Sequence, residues 1–118
     1  MNIIRAFFEL INTPDIDTVI AYQYKMPSNI GVQIRKDGDI YFAKINKIND
    51  DNLTQATIVT EAKTVDKLVA SVNDALLTYL DFPENIKSHM PLFLPPEVAK
   101  NQLESLQTSK SSNLILAK

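Results

Sequence analysis

Residues 31–80 constrain this chain most, because they combine a hairpin turn signal, a third strand and one capped amphipathic helix in that order. Asp37-Gly38 sits between two runs with apolar residues at every second position. A two-residue type I′ turn demands positive φ at both central positions, which Asp-Gly supplies. Centring the turn there pairs Ile34 with Tyr41, Val32 with Ala43 and Ile30 with Ile45, with all six side chains on one face. The other face carries Gln33, Arg35 and Lys44 beside Ile40 and Phe42. A one-residue slip would exchange the two faces, so the pattern specifies the register strongly. Residues 46–54 form a polar, Asn- and Asp-rich connection, and residues 56–62 alternate as a third strand.

Thr64 then stands where an N-cap belongs, and Asp66 favours the positive end of the helix dipole. Val65, Leu68, Val69, Val72, Ala75, Leu76 and Tyr79 recur at helical spacing and make one stripe. Leu77 and Leu80 widen it toward a second contact. Burying such a stripe on the sheet contributes about 1.5–3 kcal/mol per large side chain, before entropy is charged against it. The expected fold class is therefore α+β: a three-stranded antiparallel sheet with one packed helix, in the order βββα.

The flanks divide the chain into residues 1–27, a central domain of residues 28–96 and a C-terminal segment of residues 97–118. Ile3, Ile4, Phe7, Phe8, Leu10 and Ile11 fit a short helix that is apolar around much of its circumference. Thr13-Pro14-Asp15-Ile16-Asp17 reads as a second helix start, with Thr13 as N-cap and Pro14 at the first helical position. Beyond it, Ile16, Val19, Ile20 and Tyr24 suit a helix, while Ile20, Tyr22 and Tyr24 suit a strand; both readings stay open, the helix preferred. Pro27-Ser28-Asn29 breaks the chain before the hairpin. After Leu80, Pro83 begins one helical turn, Leu92-Phe93-Leu94 suits a short edge strand between prolines, and Pro95-Pro96-Glu97 opens a last helix carrying Val98, Leu103 and Leu106. Residues 108–112 read as a loop, and residues 113–117 are apolar enough to dock as a strand or a helix end.

At 118 residues the chain suits one domain, able to bury roughly two-thirds of its unfolded surface without staples. It has no cysteine, which removes disulfides, thiolate ligands and thiol nucleophiles and suits the cytoplasm. No apolar run approaches the ~20 residues of a membrane span, and Arg5 and Glu9 interrupt the one segment resembling a signal core. The net charge of −2 and the absence of a Lys/Arg cluster speak against a dedicated nucleic-acid binder.

Catalytic chemistry finds little to work with. His89 is the single histidine, which suits a surface or structural position and leaves zinc without partners. Asp37 and Asp39 are explained by the turn, and Asp50-Asp51 by a polar connection, rather than by a two-metal site. With Gly31 and Gly38 as the only glycines, no phosphate-cradling loop can form. Ser109-Lys110-Ser111-Ser112 reads as a solvated linker. The expectation is a non-enzymatic chain without cofactor or metal.

Lys36-Asp37-Gly38-Asp39-Ile40-Tyr41-Phe42-Ala43, the strand at residues 57–61, Ala62-Lys63-Thr64, and Asn73-Asp74-Ala75-Leu76-Leu77-Thr78-Tyr79-Leu80 together resemble the HicB-like antitoxin family of type II toxin–antitoxin systems. Asp81-Phe82-Pro83-Glu84 and the prolines of residues 91–96 resemble a branch with a proline-rich segment after the helix. The resemblance covers roughly residues 28–96. It implies a partial ribonuclease H-like βββα fold without nuclease activity, which binds and neutralises a small basic HicA-like RNase toxin. Residues 97–118 depart from the family's usual C-terminal DNA-binding unit, being too short for a helix-turn-helix, so operator binding is in doubt.

Two surfaces are expected to meet partners. Ile40 and Phe42, ringed by Gln33, Arg35 and Lys44, have the make-up of an interface, unless the N-terminal helices cover that face. Ile3, Ile4, Phe7, Phe8, Ile11, Leu114 and Leu116 exceed what one βββα unit needs and are expected at contacts in a two-fold homodimer. The competing expectation is an orphan oligomeric module that kept the fold without a toxin.

Overall fold

A computed structural model describes residues 14–49, 51–53 and 58–118. The hairpin organises it. Strand β1 (Asn29–Asp37) pairs antiparallel with β2 (Ile40–Ile48) through a two-residue turn made by Gly38 and Asp39. Asp37 thus pairs with Ile40, Ile34 with Ala43 and Val32 with Ile45, and the pairs expected from a turn centred on Asp37-Gly38 are corrected. Gly38 has φ 61° and is the turn's only residue with positive φ. That matches a type II′ turn, which wants Gly first, rather than type I′. The correction moves the partners of Ile34 and Val32 by two residues, so the division of faces survives it: Ile30, Val32, Ile34, Tyr41, Ala43 and Ile45 are all buried.

The register shifts once more between Gly31 and Val32, where Gly31 pairs with Lys47 and Ile30 with Ile48, leaving Asn46 as an extra residue on β2. A Cβ on Gly31 would stand 3.0 Å from both Asn46 Oδ1 and Lys47 Cβ, so the bulge closes most easily over a glycine.

The sheet has five antiparallel strands where three were expected. Strands β3 (Asp51–Asn52) and β4 (Ile58–Ala62) both pair with β2, and β5 (Ser111–Ala117) pairs with β1 on the other side. The open question at residues 113–117 is thereby answered as a strand. Among the described residues the class is α+β, with four helices.

Helix α1 (Ile16–Lys25) takes Asp15 as N-cap, so Pro14 precedes the helix instead of beginning it; Thr13 and the expected helix at residues 3–11 lie outside the described residues. Its inward side is not the Ile16–Ile20–Tyr24 row. Ile16 is 70% and Tyr24 87% exposed, while Val19 and Tyr22 pack on the core. The Tyr22 ring meets Phe82 edge-on, with centroids 4.8 Å apart.

Helix α2 (Val65–Tyr79) lays Val65, Leu68, Val72 and Leu76 on the sheet. The Lys67 N–H donates to Thr64 Oγ1 at 3.2 Å. Replacing Thr64 with Ala is expected to cost about 1 kcal/mol in urea denaturation. At the other end Asp81 is left-handed, with φ 62°. The Asp81 N–H donates to the Thr78 carbonyl and the Phe82 N–H to the Leu77 carbonyl, a Schellman closure without glycine. Asp81→Gly is expected to raise stability by about 0.5–1 kcal/mol, because glycine adopts this φ at no steric cost.

Helix α3 (Glu84–Lys87) follows Pro83 as expected. The Glu84 carboxylate, 2.8 Å from Lys87 Nζ, and behind it Asp74 hold the Lys87 ammonium above the usual lysine value. Its contribution is thus present through neutral pH and lost only in strong alkali.

Between α3 and the last helix, α4 (Ala99–Glu104), Phe93 is fully buried. Asn73 holds it there: Asn73 Nδ2 donates to the Phe93 carbonyl at 2.9 Å and to the Val69 carbonyl at 2.8 Å, and the Phe93 N–H donates to Asn73 Oδ1 at 2.7 Å. Leu94 then forms one bridge to Ala117. Leu103 is buried as expected, but Val98 points outward at 70% exposure.

Candidate protein-binding face

The buried apolar side chains of α2 and α3, Leu103 of α4, Phe93 and α1's Val19 and Tyr22 all belong to one core on one side of the sheet. Strand alternation sends Gln33, Arg35, Phe42, Lys44, Val59 and Ser111 to the opposite side. These six, with Ala43 between Phe42 and Lys44, line a shallow depression of about 440 Å³. Phe42 is half-buried at its floor, with the Arg35 guanidinium 5.9 Å from its ring centre. Gln33 Nε2 lies 3.5 Å from Ser111 Oγ on the neighbouring strand. The described part of the N-terminal region does not cover this face, since α1 packs toward Phe82 and its Gln23 Nε2 donates to the His89 carbonyl.

Of the five side chains expected here, Gln33, Arg35, Phe42 and Lys44 come together. Ile40 shares their face but sits at the turn end of β2, outside the depression. Val59, 58% exposed, was missed. The Ile58-Val59 pair is apolar on both sides of the strand, so sequence alone does not say which member turns out. Charge is also local: Arg35 and Lys44 share this face with Glu61, which pairs with Phe42. The face is not acidic, and the chain's excess of carboxylates lies elsewhere.

Leu114 and Leu116, expected between copies, instead serve their own chain: Leu116 is buried in the core and Leu114 packs against it. Their partners in that expectation, Ile3, Ile4, Phe7, Phe8 and Ile11, lie outside the described residues. The chemistry-bearing side chains stay apart. Asp37 precedes the hairpin turn and Asp39 lies in it, while Asp51 pairs at the far end of β2. His89 is exposed beyond α3. Among the described residues no group of His, Asp and Glu could hold a metal ion, and no helix is long and apolar enough to cross a membrane.

No protein-family model, curated protein or solved structure matches this chain at a significant level.

Proposed function

We propose that this chain is a non-enzymatic binding protein of the antitoxin type, which docks a small HicA-like RNase toxin on the open sheet face. A cytoplasmic location goes with that reading. β1, β2, β4 and α2 are read as a partial ribonuclease H-like βββα unit, extended by β3 and β5. The observation that carries the proposal is a face that no described residue covers. An aromatic and an aliphatic anchor, Phe42 and Val59, are ringed by Gln33, Arg35, Lys44 and Ser111, each able to hydrogen-bond a partner. Such a centre with a polar rim is the usual make-up of an energetic hot spot. Since the face carries two cations against one carboxylate, affinity there rests on apolar contact and hydrogen bonds, and the acidic remainder of the chain would steer a basic partner from a distance. DNA binding is not part of this reading, because residues 97–118 are spent on α4 and on β5 within the sheet.

The test is co-expression with a short basic reading frame encoded beside this gene. Expected are a joint gel-filtration peak and relief of the growth arrest that the neighbour causes alone. Separate elution with the arrest unrelieved would end the toxin reading and leave the orphan oligomeric module.

A further inference from the structure

The outer edge of β5 carries backbone groups that no described residue pairs. Leu94 N–H donates to the Ala117 carbonyl at 2.9 Å and Ala117 N–H to the Leu94 carbonyl at 3.2 Å, so the backbone of Ala117 points away from β1. In an antiparallel ladder this orientation alternates along the strand. Leu116, Leu114 and Ser112, opposite Ile30, Val32 and Ile34, therefore bond β1, while Ile115, Asn113 and Ser111 turn their N–H and C=O groups outward. No described residue meets them. Leu94 cannot continue along the edge, because Pro95 and Pro96 follow it and the chain leaves for α4.

Proteins blunt an open edge with charge, proline or a bulge. Ser111–Ala117 has none of these: its sequence is SSNLILA, and its pairing with β1 is unbroken. The opposite edge, by contrast, carries Glu61 on β4.

We propose that a second copy of this chain docks on this edge, with β5 pairing antiparallel to β5 about a two-fold axis at Asn113. The edge is complementary to itself in that register. Asn113 faces its own counterpart, and Ser111 faces Ile115, each hydrogen-bonded pair exchanging both of its N–H···O bonds. No charged side chains come opposite one another. Ile115, 66% exposed, gains the neighbouring strand as cover. Leu94 already holds the outward N–H and C=O of Ala117, so the pairing runs over Ser111–Ile115 and ends before the second copy's turn at Ser109, where φ is 76°. The two sheets become one, and the open faces with Phe42 lie on the same side. This pairing stands whether or not a toxin binds.

Sedimentation of the full chain at micromolar concentration is expected to give a species of twice the 13.3 kDa chain mass. Asn113→Pro removes an outward N–H that no described residue uses, a position where an edge strand tolerates proline. It is expected to sediment as a monomer with an unchanged circular dichroism spectrum. Asn113→Lys, which keeps the backbone and sets like charges across the axis, is expected to do the same. The chain has no cysteine of its own, so Asn113→Cys is expected to cross-link into a dimer on mild oxidation, Cα separation in a hydrogen-bonded pair being about 5.5 Å, while Lys67→Cys on the outside of α2 is not. A monomeric native chain, a dimer that persists in folded Asn113→Lys, or an edge that takes up only a foreign strand would each overturn the proposal.

Discussion

Asn73→Ala is expected to lower the unfolding free energy by about 3 kcal/mol. The substitution strips the Phe93 N–H and C=O of their shared partner inside the core, and each buried group left unmatched costs about 1–3 kcal/mol. Urea denaturation checks the size, and the pH dependence of a second variant checks the cause. Asn73→Asp, when protonated, can still accept from the Phe93 N–H and donate to its carbonyl. When ionised it presents a buried charge to a carbonyl oxygen. Burial raises the folded-state value of this carboxyl, so its stability is greatest in acid and is lost as pH rises through that raised value. The gap between wild type and Asn73→Asp should therefore widen from acid to neutral pH. A constant gap would mean that Asn73 acts by filling space and not by its amide.

Phe93→Ala is expected to cost about 3–5 kcal/mol, the range for emptying a fully buried aromatic site. The ring fixes the proline-rich segment between α3 and α4 to α2, so its loss frees that segment from two sides. Thermal unfolding checks the magnitude. Because Asn73 holds the backbone of the same residue, the double variant should lose less than the two single losses added together. Additive losses would mean that clamp and ring act independently.

Both residues were poorly legible in the sequence, for different reasons. Asn73 is a polar residue in an apolar stripe, and nothing local indicates that its amide has a backbone to hold twenty residues away. Phe93 sits among prolines, where periodicity carries no message. The hairpin was far more legible. Alternation over β1 and β2 identified the core face correctly although the turn lies one residue later, because a shift of partners by two preserves side-chain direction. The bulge at Asn46 left no mark beyond Gly31. The Leu114-Ile115-Leu116 run was ambiguous because all three are apolar, and only pairing with β1 turns Leu114 and Leu116 inward and Ile115 outward. At the candidate site, alternation named Gln33, Arg35, Phe42 and Lys44, but an alternating strand does not say which face its own chain will cover. That is decided by where α1 goes, and its Val19 and Tyr22 go to the core side with Phe82.

The docking role of the open face is tested most directly by the affinity of Phe42→Asp for the co-expressed partner, measured by calorimetry beside wild type. A charge at the floor of the depression removes the central anchor and leaves an unmatched carboxylate under the partner. The expected result is a loss of at least about 100-fold, about 2.7 kcal/mol, with the circular dichroism spectrum and unfolding midpoint little changed. Equal affinity of the two proteins would contradict docking on this face.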